Sequence, residues 1–181
     1  DAKLIIDADG KYVTPGFIDA HSHADRTFGA GDYGDLCKIN QGITTQLAGQ
    51  CGDTYAPTNS ESDPFVLPEG LGEDFLAKRQ TWTTWSKYMD YLDSIPMTIN
   101  CKMFVGFNAI RTAVMGYDDR EPTAEEMEKM KFLLTDAMES GAAGMSSGLA
   151  YVPATYSKKE ELIEQLLFIM NLLYQKILLY I

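Results

Sequence analysis

Two histidines one residue apart, His21 and His23, close the apolar run VTPGFIDAHSHAD, and they are the only histidines among the 181 residues. In extended backbone, residues i and i+2 project to the same face. Two neutral imidazoles placed in that way form a chelating pair for one metal ion, zinc among the best suited. Cys51, flanked by AGQ and GD, is the candidate third ligand, because a thiolate beside a metal stays deprotonated and coordinates strongly. The competing readings are two unrelated polar residues at a strand end and, for Cys51, a small buried hydrophobe. Asp19 and Asp25 flank the pair. Asp19 is expected on the face of His21, where a carboxylate can orient an imidazole from behind; capping or solvation explains either aspartate equally well.

The elements that must position these side chains alternate. KLIID (3–7) before the turn ADGK reads as a strand, and residues 17–22 as a short buried strand with the histidines at its C-terminal end. GDLCKINQG fits a short helix closed by Gly42, and ITTQLAGQCG (43–52) a second strand with Cys51 at or just past its end. Residues 52–73, rich in proline and turn formers, form a long loop. Apolar residues at 82, 85, 88, 89 and 92 predict an amphipathic helix over 81–95, capped by threonines. TINCKMFVGF (98–107) reads as a third strand. Thr123 with Glu126 three residues on, and Gly141 at the far end, delimit a helix over 122–141. AAGMSSGLAYVP (142–153) is a strand running into a loop, and a further helix starts behind Ser157. Strands alternating with helices imply βαβ units, a parallel sheet and sites at the strands' C-terminal ends.

Composition narrows the function. A net charge of −11 repels phosphate backbones and anionic lipid, which argues against nucleic-acid or membrane-surface binding. Three scattered cysteines make a poor disulfide framework, so Cys37 and Cys101 read as buried free thiols in a reducing, cytoplasmic setting. The tail QLLFIMNLLYQKILLYI (165–181) carries one charge. It reads as a buried helix followed by a strand KILLYI, as a marginal membrane span, or as non-native sequence from a message read out of frame.

VTPGFIDAHSHAD resembles the signature of the amidohydrolase superfamily, and QGITTQLAGQCG is similar to the second-strand motif of the D-aminoacylases (N-acyl-D-amino-acid deacylases) within it. AVMGYDDREPTAEEMEKMKFLLTDAMESGAAGMSSGLAYVP is similar to a further block of that family, so the likeness extends over residues 6–164 in several ordered motifs. The resemblance implies an α/β fold, a distorted (β/α)₈ TIM barrel of the metal-dependent hydrolase type, of which this chain holds the first half. It implies residues 1–13 as a remnant of an N-terminal β-sandwich, 14–164 as the N-terminal half of the barrel, and 165–181 as an atypical apolar tail. It also implies His21, His23 and Cys51 as ligands of one or two divalent ions, zinc foremost. Ser146, Ser147, Gly148, Ala150 and Tyr151 are then expected beside a small N-acyl-D-amino-acid substrate. The implied reaction is metal-assisted hydrolysis of a non-peptide C–N bond.

The chain departs from the family in three respects. It has no third histidine, Phe107 stands where the family usually has histidine, and no motif supplies the catalytic aspartate. The expectation is therefore an incomplete, inactive fragment whose general base lies outside it, with a strand edge and helix faces left uncovered. Two further readings stay open. One is another amidohydrolase, a dipeptidase or cyclic amidase, disfavoured because Cys51 replaces the bridging lysine of those relatives. The other is a non-catalytic metal-binding remnant.

Overall fold

The computed structural model describes residues 3–27, 33–59 and 73–178. Its strands are β1 (Phe17–Asp19), β2 (Ile43–Ala48), β3 (Asn100–Met103), β4 (Val105–Gly106) and β5 (Met145–Ser146). The helices are α1 (Tyr33–Ile39), α2 (Glu73–Arg79), α3 (Trp85–Asp93), α4 (Phe107–Met115), α5 (Ala124–Glu139) and α6 (Lys159–Leu178). All the strand pairs are parallel, β1–β2–β3 in one sheet and β4–β5 in another. Parallel neighbours need crossover connections, and the helices between the strands supply them. The segment 100–106 lies between β2 and β5: Phe104 N donates to Ala48 O at 3.0 Å, while Ala143 N donates to Met103 O at 2.7 Å. The expected α/β alternation is therefore present.

The core forms where the helices lie on the strands. Trp85 and Tyr88 of α3, Ile110 of α4, and Met130 and Leu134 of α5 are buried with Val105. The spacing of Trp85, Tyr88 and Leu92 puts all three on the buried face of α3. Helix α5 starts on the expected capping box: Thr123 Oγ1 accepts from Glu126 N, and Glu126 Oε2 accepts from Thr123 N. Arg111 of α4 and Glu161 of α6 form a buried ion pair at 2.5 Å, which ties the last helix to the core.

Several expectations are corrected. Residues 3–7 form no strand, and Leu4, Ile5 and Ile6 are exposed; an extended segment without a partner has no ladder to join. β1 is shorter than expected and is not buried: Phe17 and Ile18 are 60% and 64% exposed, because β1 is the edge of its sheet among the described residues. The strand expected over 98–107 ends at Gly106, where the unexpected helix α4 begins. Thr84 occupies the N-cap of α3 without a side-chain cap; its hydroxyl meets that of Ser86 instead. Cys37 is exposed on α1, whereas Cys101 of β3 packs against the core but is only partly buried. α6 continues to Leu178, so residues 176–178 are helical rather than part of a strand. Only one side of it is packed, with Ile169 buried and Leu167 and Met170 exposed. Among the described residues no helix is long and apolar enough to cross a membrane. Most of the loop expected over 52–73 falls outside the described residues.

Candidate metal centre and its cleft

Both histidines lie just past β1, yet the extended path continues, since Ser22 N donates to Leu47 O of β2 at 2.9 Å. Ser22 is buried, while His21 and His23 are exposed on the opposite side with ring centroids 5.6 Å apart. The i, i+2 geometry thus holds beyond the regular strand. A short 3-10 turn over Ala24–Thr27 follows and takes the chain away.

Cys51 reaches the same place from the end of β2. Its Sγ is 3.7 Å from His21 Nε2, and one ligand atom from each of His21, His23 and Cys51 lies within 4.8 Å of the others. The loop that carries it is held by backbone. Gly52 O accepts from Asn108 N at 2.8 Å and from Ala109 N, the first amides of α4. Ser146 Oγ accepts from Gly52 N at 3.0 Å and donates to Gly49 O at 2.6 Å. Gly52 has φ +78°, and a Cβ there would meet Gly148 N at 2.8 Å, so only glycine fits. Cys51 itself has φ +58°, a left-handed conformation that costs a side-chain-bearing residue about 1–2 kcal/mol.

A layer of polar groups lies behind the histidines. Asp19 Oδ1 accepts from the backbone N of His21 at 3.3 Å, so it braces the chain rather than the imidazole. Lys38 of α1 donates to Asp19 Oδ2, Ser22 Oγ and Gln46 Oε1 at 2.8, 2.5 and 2.6 Å. The Lys38 ammonium holds the Asp19 carboxyl below the ordinary carboxylate range. Asp25 is fully buried; its Oδ1 accepts from Gly49 N at 3.3 Å, and burial raises its pKa.

A cleft of about 480 Å³ opens beside His23 and Cys51. Tyr151 lines it, whereas Ser146 serves the Cys51 loop and Gly148 packs on it. Ser147 and Ala150 are exposed in the loop before Tyr151. Residues the sequence did not single out also line the cleft: Arg26, Asp53, Arg79 and Asn108. Arg26 is paired with Asp53, and the Arg26 and Arg79 guanidiniums lie 5.9 and 6.0 Å from the Tyr55 ring centre. Only the arginines' wide separation in sequence concealed them. Phe107, at the family's usual histidine position, is buried in the core at the start of α4.

The model of the amidohydrolase family matches residues 4–171. This chain belongs to the amidohydrolase family. Within the family it is similar to the D-aminoacylase of Alcaligenes xylosoxydans xylosoxydans, with 37% identity over 163 residues covering 88% of this chain and 32% of that protein. Among solved structures, a D-aminoacylase described as having a binuclear metal centre superposes with a TM-score of 0.70 at 36% identity, covering 84% of this chain and 31% of that one. The N-acyl-D-glutamate deacylase of Bordetella bronchiseptica, solved with zinc and a phosphonate mimic of the tetrahedral intermediate, gives 0.65 at 36% identity over the same shares. The chain thus spans about a third of the length of the relatives it matches.

Proposed function

We propose that this chain supplies the metal-ligating and part of the substrate-binding surface of a zinc-dependent hydrolase that removes the acyl group from N-acyl-D-amino acids. The observation that carries this reading is the convergence of His21, His23 and Cys51 at the mouth of a cleft large enough for a small amide. Two imidazoles and a thiol suit zinc by softness and by number, since three protein ligands leave a position open in catalytic sites. His21, His23 and Cys51 would hold the ion, one or two being accommodated in the wider family. When bound, such an ion polarises an amide carbonyl and lowers the pKa of water.

The chain's own residues supply placement. Asp19 and Ser22, tied by Lys38, fix the backbone that carries the two imidazoles. Ser146 and the first amides of α4 fix the Cys51 loop. Ser147, Gly148, Ala150 and Tyr151 face the acyl group or the scissile amide in this reading. Among the described carboxylates near the cluster, Asp25 is committed to Gly49 and Asp53 to Arg26. In this reading the base for the proton of water is assigned outside the 181 residues, which alone are expected to be inactive. In this proposal residues 14–164 are the first half of a (β/α)₈ barrel, 1–13 a β-sandwich remnant and 165–181 an appended apolar tail.

The test is metal content, measured by atomic emission on the purified chain and on Cys51→Ala, with release of D-methionine from N-acetyl-D-methionine assayed in parallel. Bound zinc that falls sharply in the variant, with no turnover by either, is the expected result. A parent chain that retains no zinc overturns the ligand assignment.

A further inference from the structure

Asn108 is the second residue of α4, is 5% exposed and lines the cleft beside the Cys51 loop. Backbone fixes its place, since Asn108 N donates to Gly52 O at 2.8 Å. Its Oδ1 is buried and has no hydrogen-bond partner among the described residues. A Cβ on Gly52 would stand 2.9 Å from that oxygen, so the orphan lies against the residue that follows Cys51. Leaving a buried acceptor unpaired costs more than a typical hydrogen bond contributes, and buried polar atoms nearly always have partners. The partner of this one comes from what fills the cleft, and a carboxamide oxygen requires that it be a donor.

That requirement sorts the groups of the ligand. An N-acyl-D-amino acid with an apolar side chain offers acceptors at its acyl carbonyl and its carboxylate. It carries a single donor, the N–H of the amide to be cleaved. That nitrogen is bonded to the carbonyl carbon that water attacks, so its acceptor belongs beside the candidate metal ligands. Asn108 Oδ1 is in that place, against the residue next to Cys51.

We propose that Asn108 Oδ1 accepts a hydrogen bond from the N–H of the scissile amide. The inference rests on the deacylase reading and narrows it to acyl derivatives of primary amines. Esters of D-2-hydroxy acids and N-acyl derivatives of D-proline have no hydrogen on the atom concerned, and they leave the acceptor buried and unpaired.

Calorimetric titration of the zinc-loaded chain compares N-acetyl-D-methionine with the ester of the same configuration in which oxygen replaces the N–H. The two share carbonyl, carboxylate and side chain and differ in the one donor. The amide is expected to bind about tenfold more tightly. Asn108→Leu, similar in shape and without the acceptor, should bring that ratio to about one by weakening the amide. Asn108→Asp keeps an acceptor at the same reach and should retain a ratio of about ten, even where its charge weakens both ligands. Circular dichroism identifies a variant that fails to fold, and Asn108→Ala then takes the place of the leucine variant. A ratio near one in the parent overturns the proposal and leaves the deacylase reading intact, as does a tenfold ratio that survives loss of the acceptor. Binding of neither compound overturns both. Selective binding of the amide by a chain that retains no zinc supports the proposal and overturns the ligand assignment.

Discussion

Replacing Lys38 by methionine keeps the length of the side chain and deletes the ammonium that joins α1 to the ends of β1 and β2. Three contacts go at once: Asp19 at 2.8 Å, Ser22 at 2.5 Å and Gln46 at 2.6 Å. They differ in weight. Asp19 is 27% exposed, so its ion pair contributes about 0–1 kcal/mol. Ser22 and Gln46 are buried and keep their mutual hydrogen bond of 3.2 Å, while Ser22 Oγ also accepts from Ala24 N at 3.1 Å, so losing a charged donor there costs about 1.5–2 kcal/mol. The sum is about 1.5–3 kcal/mol, a fall of roughly 3–12 °C in Tm for a chain of this size. Zinc affinity should fall about 10–100-fold, because Asp19 and Ser22 brace the histidine backbone as outer groups do at other metal sites. Urea unfolding followed by circular dichroism, with zinc titration beside it, measures both. Stability within about 0.5 kcal/mol of the parent would refute the weight given to the cluster. An unchanged zinc affinity in a destabilised variant would refute its link to the histidines.

Two further outcomes are expected. Arg120 and then Thr123 N hold the Glu126 carboxyl down to about 2, against an ordinary 4.5. A depressed folded-state pKa stabilises above the ordinary value and loses that contribution as pH falls, so α5 should lose stability from pH 4.5 toward 2. Glu126→Gln should flatten that window in acid-unfolding curves, and Thr123→Ala should cost about 1 kcal/mol at neutral pH; an acid limb that survives Glu126→Gln sinks the assignment. Gly148→Ala would place a Cβ 2.0 Å from Cys51 O, a clash with backbone that must displace the Cys51 loop. Zinc content should drop in that variant with the fold retained, and full zinc occupancy would show that the loop's position is immaterial.

The elements legible in the sequence are those whose signals are local. Thr123 and Glu126 announce α5 because a capping box is a matter of four consecutive residues. The same-side placement of His21 and His23 was legible for the same reason: extended backbone at Ser22 suffices to put them on one side. Helix α4 was not. Its N-cap is Gly106, without a capping side chain, and its first residue Phe107 continues the apolar run of the strand before it. Burial in β1 was misjudged because an apolar strand reads alike whether or not a neighbour covers it, and Phe17 and Ile18 face no such neighbour among the described residues. Asn108, Arg26 and Arg79 meet only through the crossover from β2 to α4, which no short window of sequence contains.

The left-handed backbone at Cys51 has a consequence for how the site could arise or be lost. At φ +58° a glycine would be relaxed and an alanine as strained as the cysteine, so Cys51→Gly and Cys51→Ala delete the same thiol but move the fold in different directions. The glycine variant escapes the strain that the alanine variant keeps. At this residue, drift toward greater robustness of the fold leads away from the thiol, and only selection on the chemistry of the proposed centre would keep a sulfur there.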